Sequence, residues 1–333
     1  MKKLINTPAK LVSESLAGLA AAHREIVLND ELNVVYRAGG PRPGKVGVVC
    51  GGGSGHEPAH AGFVGMGMLD AAACGEIFTS PVPDQLVEAT NRANGGAGVV
   101  QIVKNYTGDI MNFEMAREIA QASGDIEIET VVVDDDVAVE DSLYTAGRRG
   151  VGLTVIVEKL VGAAAESGMS LREVTQVGRA AVSEGRSVGL ALTPVTTPAS
   201  GKPMFDLEED KIEFGVGIHG EPGRERRDFA PAAELAEALA GPILADLPFG
   251  PGEEVIALVN GMGATPLIEL YVMNAELARV LAGRRIEPVR TLVGNYMTSL
   301  DMAGVSFTLL RATPQRLALW DAPVVTPSLR WGA

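Results

Sequence analysis

The 333-residue sequence has few cysteines, few aromatic residues and no long apolar run, and these shortages limit the classes of protein it can belong to. Cys50 and Cys74 are too few for a disulfide framework and show no zinc-binding spacing. Aromatic residues make up 5% of the chain, so the core is expected to consist mainly of aliphatic side chains. No apolar run approaches the ~20 residues of a membrane-spanning helix, and no signal peptide is evident. A cytoplasmic protein is therefore expected.

Basic residues are also in short supply. The chain has 28 Lys and Arg against 42 Asp and Glu, which gives a net charge of −14. Nucleic acid phosphates and anionic membrane surfaces would be repelled by this charge, so neither is an expected partner. A neutral small molecule, or a protein with a basic face, is easier to accommodate.

Short apolar runs followed by polar or glycine-rich loops alternate with helical patterns. Strands are predicted at 45–50, 98–103, 126–133, 211–217, 254–259, 288–293 and 305–311. Repeated strand–loop–helix units indicate an α/β fold, in which ligands bind beyond the carboxyl ends of parallel strands. The length fits about two domains, and 193–203 is rich in turn-forming residues. We predict two α/β domains, 1–187 and 188–333, each with a largely parallel or mixed sheet flanked by helices. A long helix is predicted to begin at Thr265 and Pro266.

Two of the four histidines lie in glycine-rich runs, at 51–58 and 217–223. Glycine allows sharp turns and the close approach of a small molecule. An unprotonated His219, oriented through its second ring nitrogen, could add to a ketone carbonyl as a hemiaminal. The alternative is an ordinary surface turn. Glu221 is near in sequence, but the sequence leaves open whether it orients the ring.

The run 51–58 lacks the Gly-Lys-Ser/Thr ending of a nucleotide P-loop and the Gly-x-Gly-x-x-Gly spacing of a dinucleotide-binding oxidoreductase. We predict a strand-to-helix turn in which Pro58 opens a helix, with free amides that suit a ligand oxygen. A purely structural turn is the equal alternative. His60, one helical turn after His56, is predicted to be a helix-surface or packing residue.

Further polar residues follow predicted strands. Asp109 either accepts a proton from a substrate hydroxyl or caps a helix starting at Ile110, and the local pattern favours the cap. Lys104 either binds a hydroxyl or phosphate, or is solvated. The acidic run 134–136 is predicted to be an exposed loop, because three adjacent carboxylates point in different directions and make a poor cation site.

Taken together, these runs resemble the dihydroxyacetone kinase K-subunit family. The matching motifs, spread over nearly the whole chain, are 51–58 (GGGSGHEP), 104–109 (KNYTGD), 135–140 (DDVAVE), 144–150 (YTAGRRG), 215–223 (GVGIHGEPG), 259–271 (VNGMGATPLIELY) and 294–304 (GNYMTSLDMAG). The resemblance implies a homodimeric, two-domain protein that binds dihydroxyacetone. It further implies that His219 binds the ketose carbonyl covalently and that His56 and Asp109 are hydrogen-bonding or acid/base groups. The implied substrate-site residues are Gly53, Ser54, Gly55, His56, Lys104, Asp109 and His219, and no metal is expected on this chain.

Family members that use ATP directly carry an additional nucleotide-binding domain, for which this sequence has no room. The resemblance therefore implies a separate subunit of a phosphotransferase, with ADP or ATP and magnesium held by a partner L subunit. The phosphoryl donor is either the phosphotransferase system, acting through an M-type phosphocarrier, or ATP exchanged by the partner; the former is expected here. Two alternatives stay open. One is a ketose-binding sensor or coactivator without kinase activity, and the other is a kinase subunit for a related ketose such as erythrulose.

Overall fold

The computed structural model describes residues 2–124, 126–139, 145–221 and 223–332. Its strands are β1 (Ile26–Asn29), β2 (Val34–Arg37), β3 (Gly47–Ser54), β4 (Ala71–Ile77), β5 (Val99–Lys104), β6 (Ile128–Val133), β7 (Gly185–Ala191), β8 (Lys211–Phe214), β9 (Glu225–Asp228), β10 (Glu254–Gly261), β11 (Glu287–Gly294), β12 (Gly304–Arg311), β13 (Val324–Val325) and β14 (Arg330–Trp331). Its helices are α1 (Leu11–Ala22), α2 (Pro83–Ala93), α3 (Thr107–Gly124), α4 (Leu153–Glu166), α5 (Leu171–Ser183), α6 (Ala232–Asp246), α7 (Leu267–Gly283) and α8 (Pro314–Asp321). None of these helices is both long and apolar enough to cross a bilayer. Glu140, Tyr144 and Pro222, which belong to the quoted motifs, lie outside the described residues.

The chain divides into two compact units, each assembled from separate segments. The first unit comprises Lys2–Val133, Thr154–Ala180 and Gln315–Ala333, and the second comprises Asp134–Leu153 and Ala181–Pro314. This division differs from the predicted single boundary after residue 187. The segment that follows β6 belongs to the second unit, whereas most of α4 and α5, together with the C-terminal segment, belongs to the first.

The first unit contains a six-stranded mixed sheet in the order β1-β2-β4-β3-β5-β6. Strands β4, β3, β5 and β6 are parallel, whereas β1 and β2 join antiparallel at one edge. Leu86 of α2 and Phe113 of α3 belong to the same buried cluster as Val49 and Val103 of the sheet. The apolar faces of these two helices therefore cover one side of the sheet.

Strand β3 continues through the glycine run to Ser54, so the predicted turn at Gly51 is wrong. Missing side chains permit this extension, because a Cβ on Gly51 would lie 2.6 Å from the Ala73 carbonyl oxygen. The prediction that Pro58 opens a helix is also wrong. Residues 57–60 form turns that lead only to a 3₁₀ turn at Ala61–Phe63. Residues 59–65 are all buried, so the segment lacks the polar face of a surface helix.

The second unit contains a six-stranded mixed sheet in the order β11-β10-β12-β7-β8-β9. Only β10 and β11 are parallel, and α7 connects them, since parallel neighbours need a crossover connection. Leu239 of α6 and Leu277 of α7 share a buried cluster with Ala257 and Phe307 of the sheet. Helix α7 follows Pro266 as predicted. The α/β class with mixed sheets flanked by helices is confirmed.

Candidate functional site

In the first unit, the carboxyl ends of β3, β4 and β5 lie side by side because these strands are parallel neighbours. Strand β3 ends at Ser54 and is followed by Gly55 and His56, while β5 ends at Lys104. Asp109 follows β5 in the first turn of α3. The residues that follow β3 and those that follow β5 therefore lie at the same edge of this sheet.

Lys104 is a buried cation rather than a solvated side chain. Its Nζ donates to the Gly51 carbonyl oxygen at 2.9 Å and lies 2.8 Å from His60 Nε2. It also lies 3.7 Å from Asp109 Oδ2. A Cβ on Gly52 would lie 2.3 Å from this Nζ, so the second glycine of the run makes room for the ammonium group.

His60 joins Lys104 to a carboxylate on α4. Its Nδ1 lies 2.5 Å from Glu158 Oε1, and both side chains are buried. Burial, and next the Lys104 ammonium, lower the pKa of His60 against the opposing effect of Glu158. A neutral ring that donates from Nδ1 and accepts at Nε2 satisfies both contacts. Of the two roles predicted for His60, the helix-surface position is wrong, whereas the packing role agrees with its burial; the ring also makes buried polar contacts.

Asp109 lies inside helix α3, which begins at Thr107 rather than at Ile110 as predicted. The residue is only 3% exposed. Within the part of the chain that the structure describes, its Oδ1 has no hydrogen-bond partner. A buried polar atom without a partner costs roughly 1–3 kcal/mol. A ligand hydroxyl that donated to Oδ1 would remove this cost.

The loop after β3 is fixed by contacts within the first unit. The buried His56 ring stacks on Phe78 with the ring centroids 5.1 Å apart. Ser54 Oγ donates to a backbone carbonyl of β4 at 2.7 Å, and Gly55 N donates to the Glu57 carboxylate at 3.1 Å. Gly55 adopts a φ of 109°, which strongly favours glycine. A Cβ on the preceding Gly53 would lie 2.5 Å from a backbone amide nitrogen.

Cys50, His60 and Glu158 are the only group of potential metal ligands that stands out among the described residues. Their ligand atoms lie within 4.8 Å of one another. However, the ring nitrogens of His60 already contact Glu158 and the Lys104 ammonium, and burial raises the pKa of the Cys50 thiol well above its usual value. A cation would have to displace a proton beside an existing positive charge, so the group does not fit a metal.

In the second unit, His219 lies in the loop between β8 and β9 and is held by Glu221. Its Nδ1 lies 2.9 Å from Glu221 Oε1, and its backbone N donates to Glu221 Oε2 at 3.0 Å. The His219 side chain is 18% exposed and that of Glu221 is 4% exposed. Glu221 is therefore the ring partner that the sequence left open.

The carboxylate of Glu221 is stabilised as an anion. Burial opposes ionisation, but His219, the Arg149 guanidinium and a backbone hydrogen bond lower the pKa of Glu221 to about 2. With an ionised acceptor at Nδ1, the neutral imidazole carries its proton there and its lone pair at Nε2. A Cβ on Gly217 would lie 2.0 Å from Glu221 Oε2, so this glycine is required for a close approach.

The acidic run 134–136 is not the exposed loop that was predicted. Asp134 is exposed, but Asp135 and Asp136 are buried. Asp135 accepts hydrogen bonds from the amides of Val151 and Leu153 at 2.8 and 2.9 Å, at the start of α4. Burial raises the pKa of Asp135 to about 6 against these hydrogen bonds. Each buried carboxylate has donors of its own, which the sequence did not indicate.

Three residues next to the predicted ones were missed from the sequence. Arg149 lies in the YTAGRRG motif, to whose residues no role was given, and Asp136 lies in the DDVAVE motif and was expected only to be exposed. Those motifs were the available signal. Glu158 lies in a helical segment between two apolar stretches and has no local signal.

One known protein family matches nearly the whole length of this chain. The Dak1 domain model matches residues 17–328. The chain therefore belongs to the Dak1 domain family, and the resemblance drawn from its motifs is confirmed.

The relatives name one activity and one regulatory role. An Escherichia coli protein named PEP-dependent dihydroxyacetone kinase, dihydroxyacetone-binding subunit DhaK, is 50% identical over 358 aligned positions that cover 100% of both chains. A Listeria innocua protein named PTS-dependent dihydroxyacetone kinase 1, dihydroxyacetone-binding subunit DhaK, is 51% identical over 95% of this chain and 96% of its own. The solved structure of the dihydroxyacetone kinase operon co-activator DhaQ is 34% identical with a TM-score of 0.88, covering 94% of this chain and 96% of that one.

Proposed function

We propose that this chain is the dihydroxyacetone-binding subunit of a dihydroxyacetone kinase that depends on the phosphotransferase system. The observation that carries the proposal is the contact of His219 Nδ1 with the ionised Glu221, which favours the neutral tautomer that has its lone pair at Nε2. Full-length identity of 50% to a dihydroxyacetone-binding subunit supports the substrate class.

The proposed binding step is reversible addition of His219 to the ketose carbonyl. Nε2 forms a bond to the carbonyl carbon as the π bond of the carbonyl breaks. The carbonyl oxygen gains a proton and Nδ1 loses one, so the hemiaminal is neutral overall. Glu221 supports this step because its carboxylate accepts a hydrogen bond from Nδ1–H and so stabilises the positive charge that develops on the ring before the Nδ1 proton is lost.

Asp109 and His56 are proposed to act on hydroxyl groups of the ketose. Asp109 Oδ1 accepts the hydrogen of the terminal hydroxyl and relieves it of its proton during phosphoryl transfer. His56 donates to or accepts from a substrate hydroxyl. Lys104, with the backbone of Gly53, Ser54 and Gly55, lines the substrate site. The buried Oδ1 of Asp109 supports this assignment.

The nucleotide and magnesium are proposed to belong to a partner chain. The glycine run at 51–58 lacks the lysine of a nucleotide loop, and it is a strand end rather than a helix start. An L-type subunit is therefore expected to hold ADP and magnesium, and an M-type phosphocarrier to rephosphorylate that ADP. This chain is expected to act as a homodimer.

The covalent step is tested with dihydroxyacetone labelled with ¹³C at its carbonyl carbon. We expect the bound signal to leave the ketone region in the wild type, because that carbon becomes tetrahedral, and to remain there with His219→Gln. His23→Gln, at a half-exposed histidine outside the site, is the control. Glycerol has no carbonyl and is expected not to compete. Competition by glycerol at matched concentration, or an adduct in His219→Gln, would refute the covalent assignment.

A sensor or coactivator is the second candidate, because the DhaQ co-activator has a TM-score of 0.88 to this chain. Phosphoryl transfer separates the two roles. We expect no phosphorylation with ATP and magnesium alone, and turnover once a charged L-type subunit is added. Asp109→Asn should keep binding and slow turnover by ~10²–10⁴-fold. Ketose binding without turnover beside a competent L subunit would favour the sensor. Parallel assays with erythrulose identify the preferred ketose.

A further inference from the structure

A buried ion pair lies beside Glu221 in the second unit. Arg149 Nε and Nη2 contact Asp136 Oδ2 at 2.8 and 2.6 Å, and Nη2 also donates to the Gly215 carbonyl oxygen at 2.7 Å. Both side chains are buried, with Arg149 at 0% exposure. The other oxygen of Asp136 accepts the Ala138 amide at 2.9 Å, so the carboxylate that holds the guanidinium is itself fixed.

Nη1 of this guanidinium lies towards the loop that carries His219. A Cβ on Gly217 would lie 2.6 Å from Arg149 Nη1 and 2.0 Å from Glu221 Oε2, so both groups border the same glycine. Asp136, Arg149 and Glu221 thus form a series of alternating charges that ends at the His219 ring. Arg149 favours the ionised form of Glu221, and Glu221 in turn opposes ionisation of Asp136.

We propose that Arg149, anchored by Asp136, is a positioning residue for ketose binding that holds the Glu221 carboxylate, as an anion, against Nδ1 of His219. The inference rests on the proposed covalent role of His219. A buried carboxylate without a nearby cation is readily protonated. A protonated Glu221 would be a weaker acceptor for the Nδ1 hydrogen, and the ring would lose the charge that stabilises it as Nε2 adds to the carbonyl.

A purely structural role for Arg149 makes a different prediction. In that case the guanidinium serves only to fasten the Gly215 carbonyl and the 145–152 segment. Its loss would then lower stability without changing the protonation of the loop. The two roles therefore differ in the pH dependence of ketose binding and in the state of the His219 ring.

The test compares four variants of the full chain with the wild type. Arg149→Met removes the charge at similar length, Arg149→Lys keeps it, and Asp136→Asn loosens the anchor. Arg148→Met is the matched control, because the adjacent arginine of the same motif pairs with Asp246 instead. For each protein, the dissociation constant of dihydroxyacetone is measured from pH 8 to pH 5. The tautomer of His219 is read from its ¹⁵N chemical shifts, and folding from the thermal unfolding midpoint.

We expect Arg149→Met to bind dihydroxyacetone about tenfold more weakly at pH 7, the equivalent of about 1.4 kcal/mol. The loss of affinity relative to the wild type should grow as the pH falls towards 5, because Glu221 becomes protonated more readily without the Arg149 cation. The titratable groups that then remain near Glu221 are Asp136 and His219. In Arg149→Met, the ¹⁵N shifts of His219 should show a mixture of tautomers. Arg149→Lys should recover most of the affinity, and Arg148→Met should match the wild type. The affinity of Asp136→Asn should lie between those of the wild type and Arg149→Met, because this variant keeps the guanidinium but holds it less firmly.

A parallel loss of affinity at every pH with unchanged ¹⁵N shifts would overturn the proposal, and so would wild-type binding by Arg149→Met. If Arg149→Met fails to fold, Asp136→Asn decides, since it retains the guanidinium and opens no cavity. Absence of a carbonyl adduct in the wild type would instead refute the proposed function. An intact adduct with an unchanged pH profile in a folded Arg149→Met would refute the role of Arg149 alone.

Discussion

In the part of the chain that the structure describes, two Glu–His pairs are close enough to hydrogen-bond, one in each unit. In the buried pair, Glu158 and His60 of the first unit, Oε1 lies 2.5 Å from Nδ1. In the loop pair, Glu221 and His219 of the second unit, the same two atom types are 2.9 Å apart. The two pairs differ in how much of the histidine side chain is exposed to solvent. The His60 side chain is 2% exposed and that of His219 is 18% exposed.

Each pair has a nearby cation. The cation lies next to the histidine ring in the buried pair and next to the carboxylate in the loop pair. Lys104 lies against the ring of the buried pair, 2.8 Å from His60 Nε2, and contributes to lowering the pKa of His60. Arg149 lies near the carboxylate of the loop pair and contributes to lowering the pKa of Glu221. A cation on the ring side keeps the imidazole neutral, whereas one on the carboxylate side maintains an anion towards which the imidazole can gain charge. The same two residue types therefore suit a structural role in the first unit and, under the proposed function, ketose binding in the second.

The largest expected effect follows from deleting each carboxylate. Glu158→Ala should lower the free energy of unfolding by ~3–5 kcal/mol, because it removes the acceptor of the buried His60 Nδ1 hydrogen and leaves only the Asp109 carboxylate near the buried Lys104 ammonium. Glu221→Ala should cost only ~1–3 kcal/mol, since the partly exposed ring of His219 can be solvated, but it should weaken ketose binding. Denaturant unfolding and ketose titration measure the two effects. Glu118→Ala, at an exposed position of α3, is the control.

Equal losses of stability in the two carboxylate variants would contradict the distinction. So would full ketose affinity in Glu221→Ala. The Glu118→Ala control should remain within about 0.5 kcal/mol of the wild type, as is usual for a surface substitution.

The elements that create this comparison were largely predictable from local patterns. The strand predicted at 98–103 is β5, and the helix predicted from Thr265 and Pro266 is α7. Alternation of apolar runs with glycine or proline reports the backbone directly, because those residues restrict or free particular dihedral angles. His219 was selected for the same reason, since it is a histidine between glycines.

The buried partners were not predictable, because they depend on which distant segments pack together. His60 and Glu158 are 98 positions apart, and Arg149 and Gly215 are 66 positions apart. A run of aspartates normally indicates an exposed loop, yet Asp135 and Asp136 find donors in α4 and in Arg149. An acidic residue is expected to be exposed unless the fold supplies it with hydrogen-bond donors. Only the tertiary structure shows whether such donors are present.

A smaller effect distinguishes the pairs by pH. The folded-state pKa of His60 is lowered from about 6.5, so the unfolded chain binds more protons just below that value. Stability due to neutral His60 is therefore present above pH ~6.5 and is lost as the pH falls, at up to ~1.4 kcal/mol per pH unit. The pKa of Glu221 is lowered to about 2. Its contribution is present above the unfolded value of about 4.3 and is lost between there and pH 2.

The two windows can be measured on one series of unfolding curves from pH 7 to pH 2.5. His60→Gln should flatten the pH dependence between pH 7 and 5, because glutamine can donate to Glu158 and accept from Lys104 without titrating. Glu221→Gln should leave that range unchanged and flatten the curve below pH ~4.5. The groups that face His60, namely Glu158, Lys104 and Asp109, stay in place in both variants. Parallel curves for His60→Gln and the wild type from pH 7 to 5 would mean that the pKa of His60 does not differ between the folded and the unfolded chain. A wild type that instead gains stability relative to His60→Gln as the pH falls from 7 to 5 would mean that His60 is protonated in the folded chain throughout that range. The buried pair would then be an ion pair of the same kind as the loop pair during ketose addition.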